Sequence, residues 1–107
     1  MSEVYFNMEK EEFELEKKCC DIARRRGWVV WKNEKNGCKG IPDRSFLSPN
    51  GVVFLVEFKK NDRQNLRYEQ EIWAKKYPNT VFRVHFLQGF EEILSKWEDC
   101  KISHTMP

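Results

Sequence analysis

The chain has 107 residues, of which 40% are hydrophobic and 14% aromatic, which is enough for one folded core and excludes an intrinsically disordered protein. Charged residues make up 34%, and no apolar run reaches the ~18–20 residues that a membrane-spanning helix needs. The N-terminus lacks the basic and apolar regions of a signal peptide, so we expect a cytoplasmic protein with no membrane partner. We expect a single domain over residues 1–107, with its core at about 8–98.

The net charge of +2 conceals an uneven distribution of charge along the chain. Residues 17–67 carry thirteen Lys or Arg against five Asp or Glu, whereas residues 1–16 carry six Glu against one Lys. A basic central region is where binding to a polyanion such as nucleic acid is expected.

The four cysteines are spaced for neither zinc nor disulfides. Cys19 and Cys20 are adjacent, whereas Cys38 and Cys100 stand alone, and the sequence contains no Cys-x-x-Cys pair. The sequence therefore predicts reduced, partly buried thiols, as is usual inside cells.

A first helix is predicted over residues 8–26. Leu15, Cys19 and Ile22 recur at helical spacing, and Gly27 is placed to end the helix. Residues 28–31 follow as a short strand, and residues 33–42 as a polar loop with two glycines.

A β-hairpin is the clearest local signal in the chain. Residues 44–48 and 52–58 read as strands, and Pro49-Asn50-Gly51 between them favours a tight turn. The second strand is apolar on both faces, as expected for a central, covered strand.

The remaining elements are a helix over residues 64–77, a strand over residues 80–86 and a helix that starts at Gly89. The predicted order is therefore α-β-β-β-α-β-α. This order predicts an α/β fold with a mixed central sheet flanked by helices.

The predicted hairpin register brings two carboxylates together. If the turn has three residues, Ser48 faces Val52 and Asp43 lies opposite Glu57, on the face that Lys59 also occupies. Two opposed carboxylates either share a proton or hold a cation. Because Mg²⁺ prefers carboxylate and phosphate oxygens, two acids and a lysine are suited to metal-assisted phosphodiester hydrolysis.

The same residues resemble the VRR-NUC (virus-type replication-repair nuclease) domain of the PD-(D/E)XK nuclease superfamily. The resemblance is carried by Gly40-Ile41-Pro42-Asp43-Arg44 and by Phe54-Leu55-Val56-Glu57-Phe58-Lys59-Lys60. Residues 66–73 resemble the family's glutamine helix, and Glu16 in the first helix resembles its N-terminal glutamate motif. The resemblance implies a PD-(D/E)XK restriction-endonuclease-like core and an Mg²⁺- or Mn²⁺-dependent endodeoxyribonuclease that leaves 5′-phosphate products.

The resemblance also implies roles for individual residues. The metal would be held by Asp43, Glu57 and the backbone carbonyl of Phe58. Lys59 would orient or activate the attacking water, Gln70 would complete the site, and Glu16 would reach the metal directly or through water. Glu11, Glu12 and Glu14 are alternatives to Glu16, and helical spacing favours Glu16 or Glu12 over Glu14.

Gln70 also stands out by its position. It belongs to a predicted buried stripe with Leu66, Trp73 and Tyr77, where a glutamine needs hydrogen-bond partners. A core glutamine bonded to the backbone is the alternative to a site residue.

The expected partner is DNA, branched or duplex. The resemblance to small viral members of the family implies branched forms such as Holliday junctions. The same resemblance implies a homodimer. The apolar residues Val4, Tyr5, Phe6 and Met8 could pack across its two-fold axis. The alternative function is a non-catalytic nucleic-acid-binding module or an inactive nuclease-fold subunit. The candidate DNA-binding residues are Lys32, Lys35, Lys39, Arg44, Lys60, Arg63 and Arg67. Arg24, Arg25 and Arg26 form either a second phosphate patch or a favourable helix C-terminus.

Overall fold

The computed structural model describes residues 3–34, 38–59 and 68–99, with side chains from residue 11 onward. The elements appear in the predicted order. They are α1 (Glu3–Arg25), β1 (Val29–Lys32), β2 (Arg44–Leu47), β3 (Val53–Phe58), α2 (Tyr68–Lys76), β4 (Val81–Val84) and α3 (Leu87–Glu98).

The strands form one mixed sheet in the order β1-β2-β3-β4. The first two pairings are antiparallel, and β3 pairs with β4 in parallel. Parallel neighbours cannot be joined by a tight turn, and the segment that connects β3 to β4 contains α2. The predicted α/β class with a mixed sheet is confirmed.

The hairpin turn has the predicted length. The Ser48 amide donates to the Val52 carbonyl at 2.8 Å, and Gly51, at φ 89°, donates to the Ser48 carbonyl at 3.0 Å. A left-handed φ is easily adopted by glycine, because it has no β-carbon. The strands therefore pair as predicted, with Leu47 opposite Val53 and Arg44 opposite Val56.

The core lies between one face of the sheet and helices α1 and α3. Phe46 and Phe54 stack with ring centroids 5.3 Å apart, and Phe90 of α3 packs on Phe46 at 5.1 Å. Such aromatic pairs add to the free energy of burial and fix the relative position of the strands. The core also contains Cys19, Ala23, Trp28, Val56, Phe58, Val84 and Leu94.

Several predicted boundaries were wrong. Helix α1 begins at Glu3 rather than at residue 8, since no Gly or Pro interrupts the segment before Gly27. Helix α3 begins at Leu87, two residues before Gly89. Trp28 precedes β1 and is buried in the core, and β4 and β2 are shorter than the predicted strands. The predicted end of α1 is confirmed by Gly27 at φ 86°.

Strand β3 is central, but it is not covered on both faces. Phe54 and Val56 are buried, whereas Val53 is exposed and Leu55 is half-buried. The predicted stripe on α2 also holds only in part, because Gln70 is buried but Tyr77 is exposed. The predicted residues 64–67 of that helix lie outside the described residues.

None of the helices in the described part of the chain is long and apolar enough for a bilayer crossing. Cys19, Cys20 and Cys38 are free thiols, as predicted, and Cys100 lies outside the described residues. Burial, with smaller contributions from the charges of Cys20, Glu91 and Glu16, raises the pKa of Cys19 to about 12. Cys19 is therefore a protonated core residue at neutral pH rather than a reactive thiol.

Candidate active site

The site lies where the β2–β3 pairing ends. Arg44 opposite Val56 is the last pair, and the next residues along the two segments are Asp43 and Glu57. Asp43 is no longer in the strand, and its Oδ2 accepts a hydrogen bond from the Phe58 amide at 3.1 Å. The Asp43 carboxylate therefore contacts the β3 backbone at the residue that follows Glu57.

Glu57 and Lys59 form a charged pair at the end of β3. Glu57 is only 5% exposed, and its Oε1 lies 3.8 Å from Lys59 Nζ. The Lys59 amide donates to the Val84 carbonyl at 2.8 Å, which fixes the lysine backbone against β4. Withdrawing an ion pair from water costs free energy, so this pair is weak evidence for stabilisation of the fold.

Asn33 holds the segment that carries Asp43, a role that the sequence analysis missed. It is 8% exposed, and its Nδ2 donates to the Pro42 carbonyl at 2.9 Å, while its Oδ1 accepts from Ser45 Oγ at 2.7 Å. Its backbone amide donates to the Asp43 carbonyl at 3.0 Å. Three hydrogen bonds that involve Asn33 thus fix the chain on both sides of Asp43. No sequence motif predicts these bonds.

Gly40 brings the loop before Asp43 against helix α2. Its φ is 77°, and a β-carbon at this position would lie 2.4 Å from the backbone carbonyl carbon of Glu69. Trp73 Nε1 also donates to the Lys39 carbonyl at 3.1 Å. These contacts hold the loop against the helix turn in which Gln70 is buried.

Helix α1 supplies the opposite wall of an open cavity of about 250 Å³. Glu12 and Glu16 line this cavity together with Asp43, whereas Glu14 is exposed, in agreement with the predicted helical spacing. Among the described residues, the cavity wall does not include Glu57. The full lining is Glu12, Phe13, Glu16, Lys32, Asp43 and Phe58.

Arg44 is held by an ion pair that is partly exposed to solvent. Its Nε lies 2.7 Å from Glu16 Oε1, and both side chains are about three-quarters buried. Burial lowers the pKa of Arg44, but the hydrogen bond to Glu16 and the charges of Cys20, Glu16 and Asp43 raise it, and the net shift is upward. The guanidinium thus fixes one of the two cavity carboxylates of α1.

The fold of the chain resembles that of a solved structure described as a VRR_NUC domain. The match has a TM-score of 0.72 and covers 81% of this chain and 97% of that domain, at 22% sequence identity. The chain has the VRR_NUC fold. No protein-family model matches the sequence, and no curated protein matches it significantly. The likeness read from the motifs is therefore confirmed for the fold.

The predicted DNA-binding residues of this VRR_NUC fold occupy different settings. Lys32 is exposed and lines the Asp43 cavity, and Lys39 is exposed in the loop before Gly40. Arg44 pairs with Glu16, as described above. Lys35, Lys60, Arg63 and Arg67 lie outside the described residues.

Arg26 has a structural role in the VRR_NUC fold. Its guanidinium forms an ion pair with Glu98 of α3, and its Nη2 donates to Ser95 Oγ at 3.1 Å. It therefore joins two helices rather than presenting a free cation to phosphate. Arg24 and Arg25 remain exposed at the end of α1.

The acidic side chains at this site could supply some of the ligands of a hard divalent cation. The acidic groups on the cavity wall offer only oxygen donors, which Mg²⁺ prefers. Within residues 3–34, 38–59 and 68–99, no group of three or more His, Cys, Asp or Glu side chains lies in an arrangement that could hold a metal ion. Mg²⁺ commonly uses one or two protein carboxylates and completes its shell with water and substrate phosphate, so the residues fit such an ion.

Proposed function

We propose that the protein is a divalent-metal-dependent DNA nuclease that hydrolyses phosphodiester bonds. The observation that carries the proposal is the set of charged residues around Phe58. Its amide is 3.1 Å from Asp43 Oδ2, and on either side of it along the chain stand Glu57 and Lys59, whose charged groups are 3.8 Å apart. The VRR_NUC fold supports the same reading.

Asp43, Glu57 and the Phe58 carbonyl would hold Mg²⁺ or Mn²⁺, with Glu16 or Glu12 reaching it directly or through water. When bound, the ion would supply positive charge to the phosphate and lower the pKa of a coordinated water. The Asn33 hydrogen bonds support this assignment, because a ligand must be held in one orientation to bind tightly.

Lys59 would act on the reacting phosphate. Its ammonium lies beside Glu57 and is only partly exposed, so it is oriented before substrate binds. A fixed ammonium can donate a hydrogen bond to the attacking water or to a phosphate oxygen as negative charge develops in the pentacovalent transition state. Gln70 would complete the site from α2.

The proposed substrate is branched DNA such as a Holliday junction, and the proposed assembly is a homodimer. Two copies would present two active sites to two of the four strands of one junction. Lys32, on the wall of the Asp43 cavity, and Lys39, exposed in the preceding loop, would contact phosphates without reading the base sequence. A cleavage panel of single-strand, duplex, flap and four-way-junction DNA tests the substrate, and light scattering at micromolar concentration tests the dimer.

The nicking of a supercoiled plasmid tests the nuclease itself. We expect nicking with Mg²⁺ or Mn²⁺ and none in EDTA. Glu57→Gln and Lys59→Met should each slow cleavage by about 100- to 1000-fold, the loss typical of removing one charge-stabilising group. Glu14→Gln is the matched control, because it removes an exposed carboxylate of α1 and should cleave at the wild-type rate.

Two results would contradict the proposal. Cleavage that persists in Glu57→Gln would reject the assigned active site. DNA binding without cleavage under either ion, in a chain that remains folded, would favour the non-catalytic nucleic-acid-binding module.

A further inference from the structure

Phe13 is a large apolar side chain in an unusual place. It is 67% exposed in the middle of α1, whereas Leu15 and Cys19 of the same helix are buried in the core. A single exposed aromatic residue is common on protein surfaces. Phe13, however, lines two cavities at once: the cavity that contains Asp43, and a second one that contains Arg44.

The second cavity extends along α1, away from Asp43. It measures about 120 Å³, and its helix residues follow the i, i+3, i+4, i+7, i+8, i+11 spacing of one helix face. From Phe13 to Arg24 this face is about 16 Å long, at ~1.5 Å per residue. The lining residues are Phe13, Glu16, Lys17, Cys20, Asp21, Arg24 and Arg44.

The charge of this face is positive. Lys17, Arg24 and Arg44 outnumber the carboxylates of Glu16 and Asp21. Arg44 is held by Glu16, and the Arg24–Asp21 separation of 4.0 Å is at the limit of an ion pair. Among the described residues no carboxylate lies within ion-pair distance of Lys17, which is exposed.

We infer that this face of α1 binds a DNA strand with unpaired bases: Phe13 stacks on one base, and Lys17 and Arg24 contact the phosphates that follow. Stacking needs an open base face, and in continuous duplex the neighbouring pairs cover both faces of every base. Aromatic platforms beside a line of cations are the common means of binding single strands without sequence preference. The arrangement would hold the unpaired strand beside Asp43, and in this respect alone the inference rests on the proposed function.

The test is binding of the full chain in EDTA, where cleavage cannot occur. The probes are an oligothymidylate with one 2-aminopurine, about 12 nucleotides long to cover the ~4–16 nucleotides of typical single-strand sites, and the same strand annealed to its complement. Phe13→Ala should weaken single-strand binding by about 5- to 100-fold, and should abolish the change in 2-aminopurine fluorescence. Duplex binding should change by less than about twofold, because phosphate contacts carry it.

Two matched variants make the result specific. Phe13→Trp should keep the single-strand affinity, since the platform is retained. Tyr68→Ala, which removes the more exposed aromatic ring on α2 at 75% exposure, should leave both affinities unchanged.

The cations are tested by the salt dependence of single-strand affinity. Lys17→Gln should reduce the slope of log affinity against log salt by about 0.7, the value for one phosphate contact on a single strand. Lys18→Gln, an exposed neighbour that does not line the cavity, should not change the slope. Equal slopes in Lys17→Gln and wild type would overturn the phosphate assignment.

The stacking assignment is overturned if Phe13→Ala binds the single strand like wild type, or loses single-strand and duplex affinity equally. A dimer that dissociates in Phe13→Ala would assign the ring to a contact with a second copy and would also overturn it. Since binding is measured without metal, an inactive chain that still shows the Phe13 effect refutes only the nuclease.

Discussion

The strand side and the helix side of the candidate site are built differently. On the strand side, Asn33 and Asp43 are fixed by hydrogen bonds to backbone groups, and Glu57 is nearly inaccessible to solvent. On the helix side, Glu16 is held by one ion pair, and Phe13 projects into solvent. The strand side is therefore suited to fixed geometry, and the helix side to contacts that form when a ligand arrives.

This difference predicts that substitutions on the two sides have different effects. Changes on the strand side should reduce stability and activity together, because the same hydrogen bonds build the fold and orient the site. Changes on the helix side should alter binding or metal requirement while the fold stays intact. The following variants test this division, in order of decreasing expected effect on stability.

Gly40→Ala should have the largest effect. The substitution meets the Glu69 backbone at 2.4 Å and also forces alanine to φ 77°. A left-handed φ costs about 1–2 kcal/mol and overpacking about 1–3 kcal/mol, so we expect a loss of about 2–5 kcal/mol in the free energy of unfolding by urea titration.

Gly27→Ala is the control for backbone strain. It has a similar φ of 86°, but its β-carbon would meet only Pro49 Cγ at an ordinary 3.5 Å. Its free energy of unfolding should fall only by the part that is due to the left-handed φ. If the two variants were equally stable, the tight contact between the Gly40 loop and α2 would be excluded.

Asn33→Ala should have the next largest effect. It leaves the Pro42 carbonyl and the Ser45 hydroxyl without their partner, in a buried position. An unsatisfied buried polar group costs about 1–3 kcal/mol, so thermal unfolding should shift downward and plasmid nicking should slow at a temperature where the variant is folded.

Asn79→Ala, at an exposed position, is the control for loss of an asparagine. A fully stable Asn33→Ala variant with unchanged nicking would contradict the view that the strand side fixes Asp43.

The contrast between these residues also explains what could be read from the sequence. The hairpin register followed from three turn residues and the period of two along the strands, which are local properties of the chain. It correctly predicted that Arg44 lies opposite Val56, one residue from Asp43 and Glu57 along their segments. The buried position of Gln70 followed from helical spacing in the same way.

Asn33 could not be found by such rules. Its partners are a carbonyl nine residues away and a hydroxyl twelve residues away, and they meet only where β1 and β2 pair. The Arg26–Glu98 pair, which spans 72 residues, is a tertiary contact of the same kind. Tyr77 shows the opposite case. Its helical spacing predicts burial, but α2 ends at Lys76 and the Tyr77 side chain is exposed.

Glu16→Gln should have the smallest effect on stability and a clear effect on function. Breaking its ion pair with Arg44, which is partly exposed to solvent, should cost no more than about 1 kcal/mol. The cavity loses one of its acidic groups, however, so the Mg²⁺ concentration for half-maximal nicking should rise by about 10-fold or more, as for other groups that support a metal ion. Glu12→Gln and Glu14→Gln distinguish the three glutamates of α1. A metal requirement that rises in Glu12→Gln but not in Glu16→Gln would move the helix-side ligand one turn toward the N-terminus and leave Glu16 as the partner of Arg44.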